Sequence, residues 1–131
     1  MADQLLADRK ILIVEDEMLV MMGIEDMLSD LGCSAISVAA NVETALELIA
    51  TNDFDFATID VNLNGEQSYP VARALDQRGV PFAFSTGYGE HGVDEGFGDR
   101  PVLTKPFSNR QLVAAVMDLL TLADAPVTNS A

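Results

Sequence analysis

Lys10-Ile11-Leu12-Ile13-Val14-Glu15-Asp16 is a short aliphatic run that stops on two acids. Consecutive branched residues with no polar alternation read as a strand buried on both faces, the kind found inside parallel sheets. Two further runs end on charge in the same way. Phe54-Asp55-Phe56-Ala57-Thr58-Ile59 stops on Asp60, and Val102-Leu103-Thr104 stops on Lys105-Pro106. In a parallel α/β sheet the carboxyl ends of the strands share one edge, and ligands bind there. Carboxylates crowded on that edge repel one another and call for a divalent cation. A lysine among them calls for an anion, with phosphate the obvious candidate. Together these groups describe a site that takes a phosphoryl group onto aspartate.

The segments between these runs alternate strand and helix. Residues 16–31 carry Val20, Ile24, Met27, Leu28 and Leu31 at helical spacing, and Gly32 stops them. Residues 34–38 read as a second strand. Asn41 caps a helix whose stripe is Val42, Ala45, Leu46 and Ile49. After the strand over 54–59, a loop through Asn62, Asn64 and Gly65 leads to a helix near 68–78, closed by Gly79. Residues 80–85 form the fourth strand and 101–103 a short fifth. Ser108 and Gln111 are spaced as a capping box for a last helix with the stripe Leu112, Val116, Leu119 and Leu120. Five such alternations with right-handed crossovers predict an α/β fold, a doubly wound five-stranded parallel sheet. The strand before Asp60 belongs in its middle. Five glycines between Gly87 and Asp99 argue against a fourth helix of normal length there, so a short or mobile one is expected.

The chain of 131 residues suits one domain, expected over 9–123 with flexible tails at 1–8 and 124–131. Its formal charge of −14 makes nucleic acid a poor partner, because phosphate binding needs clustered Lys and Arg. The longest apolar run, Met18 to Met22, is too short to span a bilayer, and the first residues lack a signal pattern. No membrane role and a cytoplasmic location are expected. The single cysteine, Cys33, permits no internal disulfide and reads as a small buried hydrophobe on a strand.

At the proposed edge, Asp16 and Asp60 are the expected direct ligands of Mg2+, which prefers oxygen and keeps several waters. The backbone carbonyl of Asn62 is the expected third ligand, with Glu15 expected to act through water. Lys105 suits a phosphate oxygen, and Thr86, ending the fourth strand, offers a hydroxyl to the same oxyanion.

The ordered set Glu15-Asp16, Asp60, Thr86 and Lys105-Pro106 resembles the response-regulator receiver domains of two-component signalling, over roughly residues 8–123. That resemblance implies a CheY-like, flavodoxin-like sheet of order 2-1-3-4-5. It implies that Asp60 accepts a phosphoryl group from a histidine kinase or histidine phosphotransfer protein, with Lys105 pairing with that group and Thr86 moving to bond it. Pro81-Phe82-Ala83-Phe84-Ser85-Thr86-Gly87-Tyr88-Gly89 further resembles the FATGUY receivers, with Ser85 where alanine is usual. Such receivers are typically stand-alone regulators with an abbreviated fourth helix. They signal by protein contact or drain phosphate from a kinase, and the expectation here is a phosphoacceptor rather than an enzyme.

One departure matters. Val102 stands where ordinary receivers carry the aromatic that rotates inward on activation, so Tyr88 is the candidate switch in its place. Met18, Met21 and Met22 lie partly off the core stripe and offer an adaptable face for a kinase's helical pair. His91 reads as a solvated loop residue. Two alternatives stand beside this reading: a receiver that only binds, and a magnesium-dependent phosphohydrolase. The hydrolase needs a general acid two residues after its nucleophile, and Asn62 occupies that place. A flavodoxin-like nucleotide carrier is disfavoured, since Glu15-Asp16-Glu17 would repel phosphate.

Overall fold

The computed structural model describes residues 5–87, 97 and 100–124. Five strands form one parallel sheet: β1 (Lys10–Val14), β2 (Ala35–Ala39), β3 (Phe56–Asp60), β6 (Phe82–Thr86) and β7 (Val102–Thr104). Their spatial order is β2-β1-β3-β6-β7, with β3 central, as the burial of every one of its residues requires. Between β3 and β6 lie two two-residue strands, β4 (Asn62–Leu63) and β5 (Glu66–Gln67), paired antiparallel. The helices are α1 (Met18–Asp30), α2 (Val42–Thr51), α3 (Tyr69–Gln77) and α4 (Asn109–Asp124).

Successive strand residues point to opposite faces, so the aliphatic run of β1 serves two cores at once. Leu12 and Val14 join Ala57, Ile59, Phe82 and Phe84 beneath α2 and α3. Ile11 and Ile13 join Phe56, Ala83 and Leu103 beneath α1 and α4. Continuous hydrophobicity, rather than alternation, is what a strand covered on both faces demands.

Local signals act where the sequence placed them. Asn41 Oδ1 accepts the Thr44 N–H at 2.8 Å. Ser108 and Gln111 close a reciprocal box, with Ser108 N–H donating to Gln111 Oε1 at 2.7 Å and Gln111 N–H to Ser108 Oγ at 3.1 Å. Gly32 and Gly79 end their helices at positive φ. The β4–β5 hairpin turns on Asn64 and Gly65, both at positive φ, a backbone that Asn-Gly adopts readily. The sequence alone predicts only a loop there.

Three expectations change. Leu6, assigned to a frayed tail, is fully buried against the α1/α4 core, and its N–H donates to the Leu31 carbonyl at 2.8 Å. At the other end, helix α4 runs through Asp124, where a tail was expected to begin. Asp124 forms a two-pronged ion pair with Arg9, at 2.9 and 2.7 Å. Cys33 is buried as expected but precedes β2 instead of lying on it. The proposed short helix after Gly87, with Tyr88 and His91, falls outside the described residues apart from Phe97. Among the described residues no helix is long and apolar enough to cross a membrane.

Candidate functional site at the carboxyl edge of the sheet

The register of the sheet assembles the site. β1 and β3 pair through Val14 and Ile59, so the residues that follow, Glu15, Asp16 and Asp60, leave the sheet side by side. β6 pairs with β3 through Ser85 and Asp60, and with β7 through Thr86 and Thr104. Lys105 therefore emerges opposite the acids, its N–H donating to the Thr86 carbonyl at 2.7 Å. The Lys105–Pro106 bond is cis.

Lys105 Nζ donates to Asp60 Oδ2 at 2.9 Å and to Glu15 Oε2 at 3.2 Å. It also lies 3.1 Å from Glu15 Oε1 and 3.5 Å from Glu17 Oε1. Asp60 Oδ1 accepts the Asn62 N–H at 3.1 Å, and Asp16 Oδ2 accepts the Asn64 N–H at 2.9 Å. The Asn64-Gly65 hairpin thus clasps the acidic cluster from above. Thr86 is buried at the end of β6, and Val102 is half exposed on β7.

The electrostatics are those of a crowded site. Burial first, and the adjacent Asp60 second, push the Glu15 carboxyl up to about 7, although the Glu17 N–H and Lys105 pull the other way. Burial also acts to lower the Lys105 pKa, but hydrogen bonds and charge from Asp60 and Glu15 outweigh it and hold the ammonium above the usual lysine range. Glu15 Oε1 is buried and has no hydrogen-bond partner of acceptable geometry.

Oxygens of Glu15, Asp16, Glu17 and Asp60 all lie within 4.8 Å of one another. One lysine does not neutralise four carboxylates. An all-oxygen donor set carrying an unsatisfied buried oxygen fits a hard divalent cation such as Mg2+. Asp16 and Asp60 come together as the sequence suggested, with Asn62 beside them. Glu17 was not singled out, although its place directly after Glu15-Asp16 was a signal that could have marked it.

A groove of about 410 Å³ opens next to this cluster, lined by Glu17, Leu19, Val20, Gly23, Ile24, Met27, Gly87 and the stretch Lys105-Pro106-Phe107. Met18 and Met22 are exposed on α1, as is Leu19 at 84%. Met21 instead packs against the α1/α4 core.

Comparison with known proteins follows the same lines. The sequence pattern of the response regulator receiver domain matches residues 11–117. The solution structure of SdrG from Sphingomonas melonis Fr1 is 44% identical and superposes with a TM-score of 0.78, covering 86% of this chain and 96% of that one. The BeF3-activated conformation of SdrG from Pseudomonas melonis Fr1 is 43% identical with a TM-score of 0.74, over 87% and 98% of the two chains. The transcriptional regulatory protein PdtaR of Mycobacterium tuberculosis is 28% identical over 112 residues, 82% of this chain and 55% of PdtaR. The chain spans about half the length of the curated relatives it matches. With the sheet order, the acidic edge and this match across most of its length in agreement, the chain belongs to the response regulator receiver family.

Proposed function

We propose that this chain is a two-component response regulator that accepts a phosphoryl group on Asp60 from a phosphohistidine. The observation that carries the reading is the Lys105 ammonium 2.9 Å from a buried Asp60 carboxylate oxygen, on the edge where the strands end. An Asp60 oxygen attacks phosphorus, the phosphorus–nitrogen bond breaks, and its electron pair leaves with the imidazole. The transition state spreads negative charge over three equatorial oxygens. Lys105 meets one of them, and the Thr86 hydroxyl donates to another once it turns towards the product. Asp16, Asp60 and the Asn62 carbonyl would hold Mg2+, with Glu15 through water, and the bound cation would supply positive charge to the same oxygens. Water then hydrolyses the acyl phosphate and resets the chain, so it serves as a phosphoacceptor rather than an enzyme.

The groove along α1 gives the donor a landing place beside Asp60. Exposed Met18, Leu19 and Met22 suit the apolar face of a kinase or phosphotransfer helix. The SdrG structure in a BeF3-activated conformation supports a phosphorylation-driven change in this chain too. Tyr88 is proposed as the side chain that reports it, Val102 being too small and too exposed to do so. Output is proposed to be protein contact or phosphate drainage, by a stand-alone cytoplasmic regulator whose receiver unit reaches from Leu6 in the core to Asp124 at the end of α4.

Incubation with magnesium and acetyl phosphate, followed by intact mass, tests the core of this. The expected result is a gain of one phosphoryl group by the natural chain and none by Asp60→Ala. No uptake by the natural chain would favour a receiver that only binds.

A further inference from the structure

Glu17 differs from the other carboxylates of the cluster in one respect. Its side chain is 65% exposed, against 1% for Glu15 and 4% for Asp60, yet its Oε1 still lies 3.5 Å from Lys105 Nζ. Glu17 also lines the mouth of the α1 groove, where Lys105 is the one other charged lining group among the described residues. We propose that Glu17 is a positioning residue that shares the Lys105 ammonium in the resting site and sets the charge of phosphodonor the site accepts.

The inference rests on the phosphoacceptor reading of Asp60, and its physics concerns which partner Lys105 can give up. An incoming oxyanion must displace a carboxylate from the ammonium. Displacing Asp60 would strand a buried charge, which is strongly unfavourable, and Glu15, equally buried, has no water to turn into. Displacing Glu17 releases an exposed carboxylate into water, where it is well solvated. Glu17 is thus the replaceable partner. Until it leaves, its charge stands at the entrance and opposes a dianion more than a monoanion, and salt screens the difference.

Two donors separate this role from a structural one. Acetyl phosphate is a dianion: the Asp60 oxygen–phosphorus bond forms, the donor's phosphorus–oxygen bond breaks, and the electron pair leaves with acetate. Phosphoramidate reacts as the zwitterion of net single negative charge: its phosphorus–nitrogen bond breaks and neutral ammonia departs. Rates are measured at saturating magnesium for the natural chain, Glu17→Gln and Glu17→Asp.

For Glu17→Gln the expected result is a rate about three- to tenfold higher with acetyl phosphate and a smaller gain with phosphoramidate, the difference shrinking in high salt. Glu17→Asp keeps the charge and holds the donor ratio within about twofold of the natural chain. In magnesium-free protein treated with acetic anhydride, acetylation of Lys105 (acetate leaving, the amine losing its proton) read by peptide mass should run about two- to fivefold faster in Glu17→Gln, because the amine has lost a partner. Equal rate changes for both donors, a ratio insensitive to salt, or unchanged Lys105 acetylation would overturn the proposal. Failure of the natural chain to take phosphate from either donor would overturn the Asp60 reading, and this inference with it.

Discussion

Lys105 is shared among three carboxylates, two of them buried, and the balance of that contact sets how the site responds to pH. Glu15 moves from an ordinary 4.5 to about 7 in the folded chain, through burial and then Asp60. Between those values the folded chain holds a proton that the unfolded chain has released. Stability from this group is therefore present at low pH and lost as pH rises through about 5 to 7. In magnesium-free buffer, urea melts across that window should show the natural chain weakening, and Glu15→Gln should flatten the slope. At this scale Asp60 and Lys105 were legible because each ends an apolar run, a position that strand geometry alone assigns to one edge. Glu17 was not legible in the same way. Its approach to Lys105 depends on how far two long side chains reach across the gap between β1 and β7, and strand periodicity carries no information on that.

Helix α1 begins beside the acids and carries Gly23 in its middle, lining the groove. A Cβ built there meets nothing within 4 Å, so the fold itself does not require glycine. Gly23→Ala should stabilise the chain by about 1 kcal/mol, read as a melting midpoint a few degrees higher. Uptake from acetyl phosphate should be unchanged, since a small donor does not need the groove. The connection from β6 to β7 is held differently. Phe97 is buried, with its ring 6.0 Å from Tyr69, 5.9 Å from Phe82 and 6.0 Å from Phe84. Arg100 stacks on Phe82 and Phe97 while pairing with Asp76 on α3. Phe97→Ala should cost about 3–5 kcal/mol by chemical denaturation, as expected for an aromatic removed from a packed cluster. The glycine content of this stretch was plain from composition. The anchor was not, because one aromatic among glycines shows no periodicity and its partners lie elsewhere in the chain.

Taken whole, the molecule carries a net charge of −14 and concentrates four carboxylates at one edge of a sheet with a core on each face. A divalent cation that binds only the folded chain stabilises it by mass action, by about 2.7 kcal/mol at a hundred times its dissociation constant. Thermal melts with magnesium should rise accordingly over melts at equal ionic strength in sodium, and Asp16→Asn should remove most of the gain. At this scale the doubly wound sheet and its central strand followed from the sequence, while the full strand order was only what the resemblance to receiver domains implied. Continuous aliphatic runs need cover on both faces, helices supply it only through right-handed crossovers, and the run before Asp60 had to be central. The helix caps at Asn41 and Ser108 and the glycine stops were equally local, settled by bonds within a few residues. Tertiary structure alone decided the closure of the two ends, where Leu6 enters the core and Arg9 meets Asp124. It alone also decided that the Asn64-Gly65 hairpin folds back to hold Asp16, and that Glu17 joins Asp60 at one ammonium. Those contacts join residues far apart in the chain through side-chain reach, and such distances exist only once the sheet has brought the strand ends together.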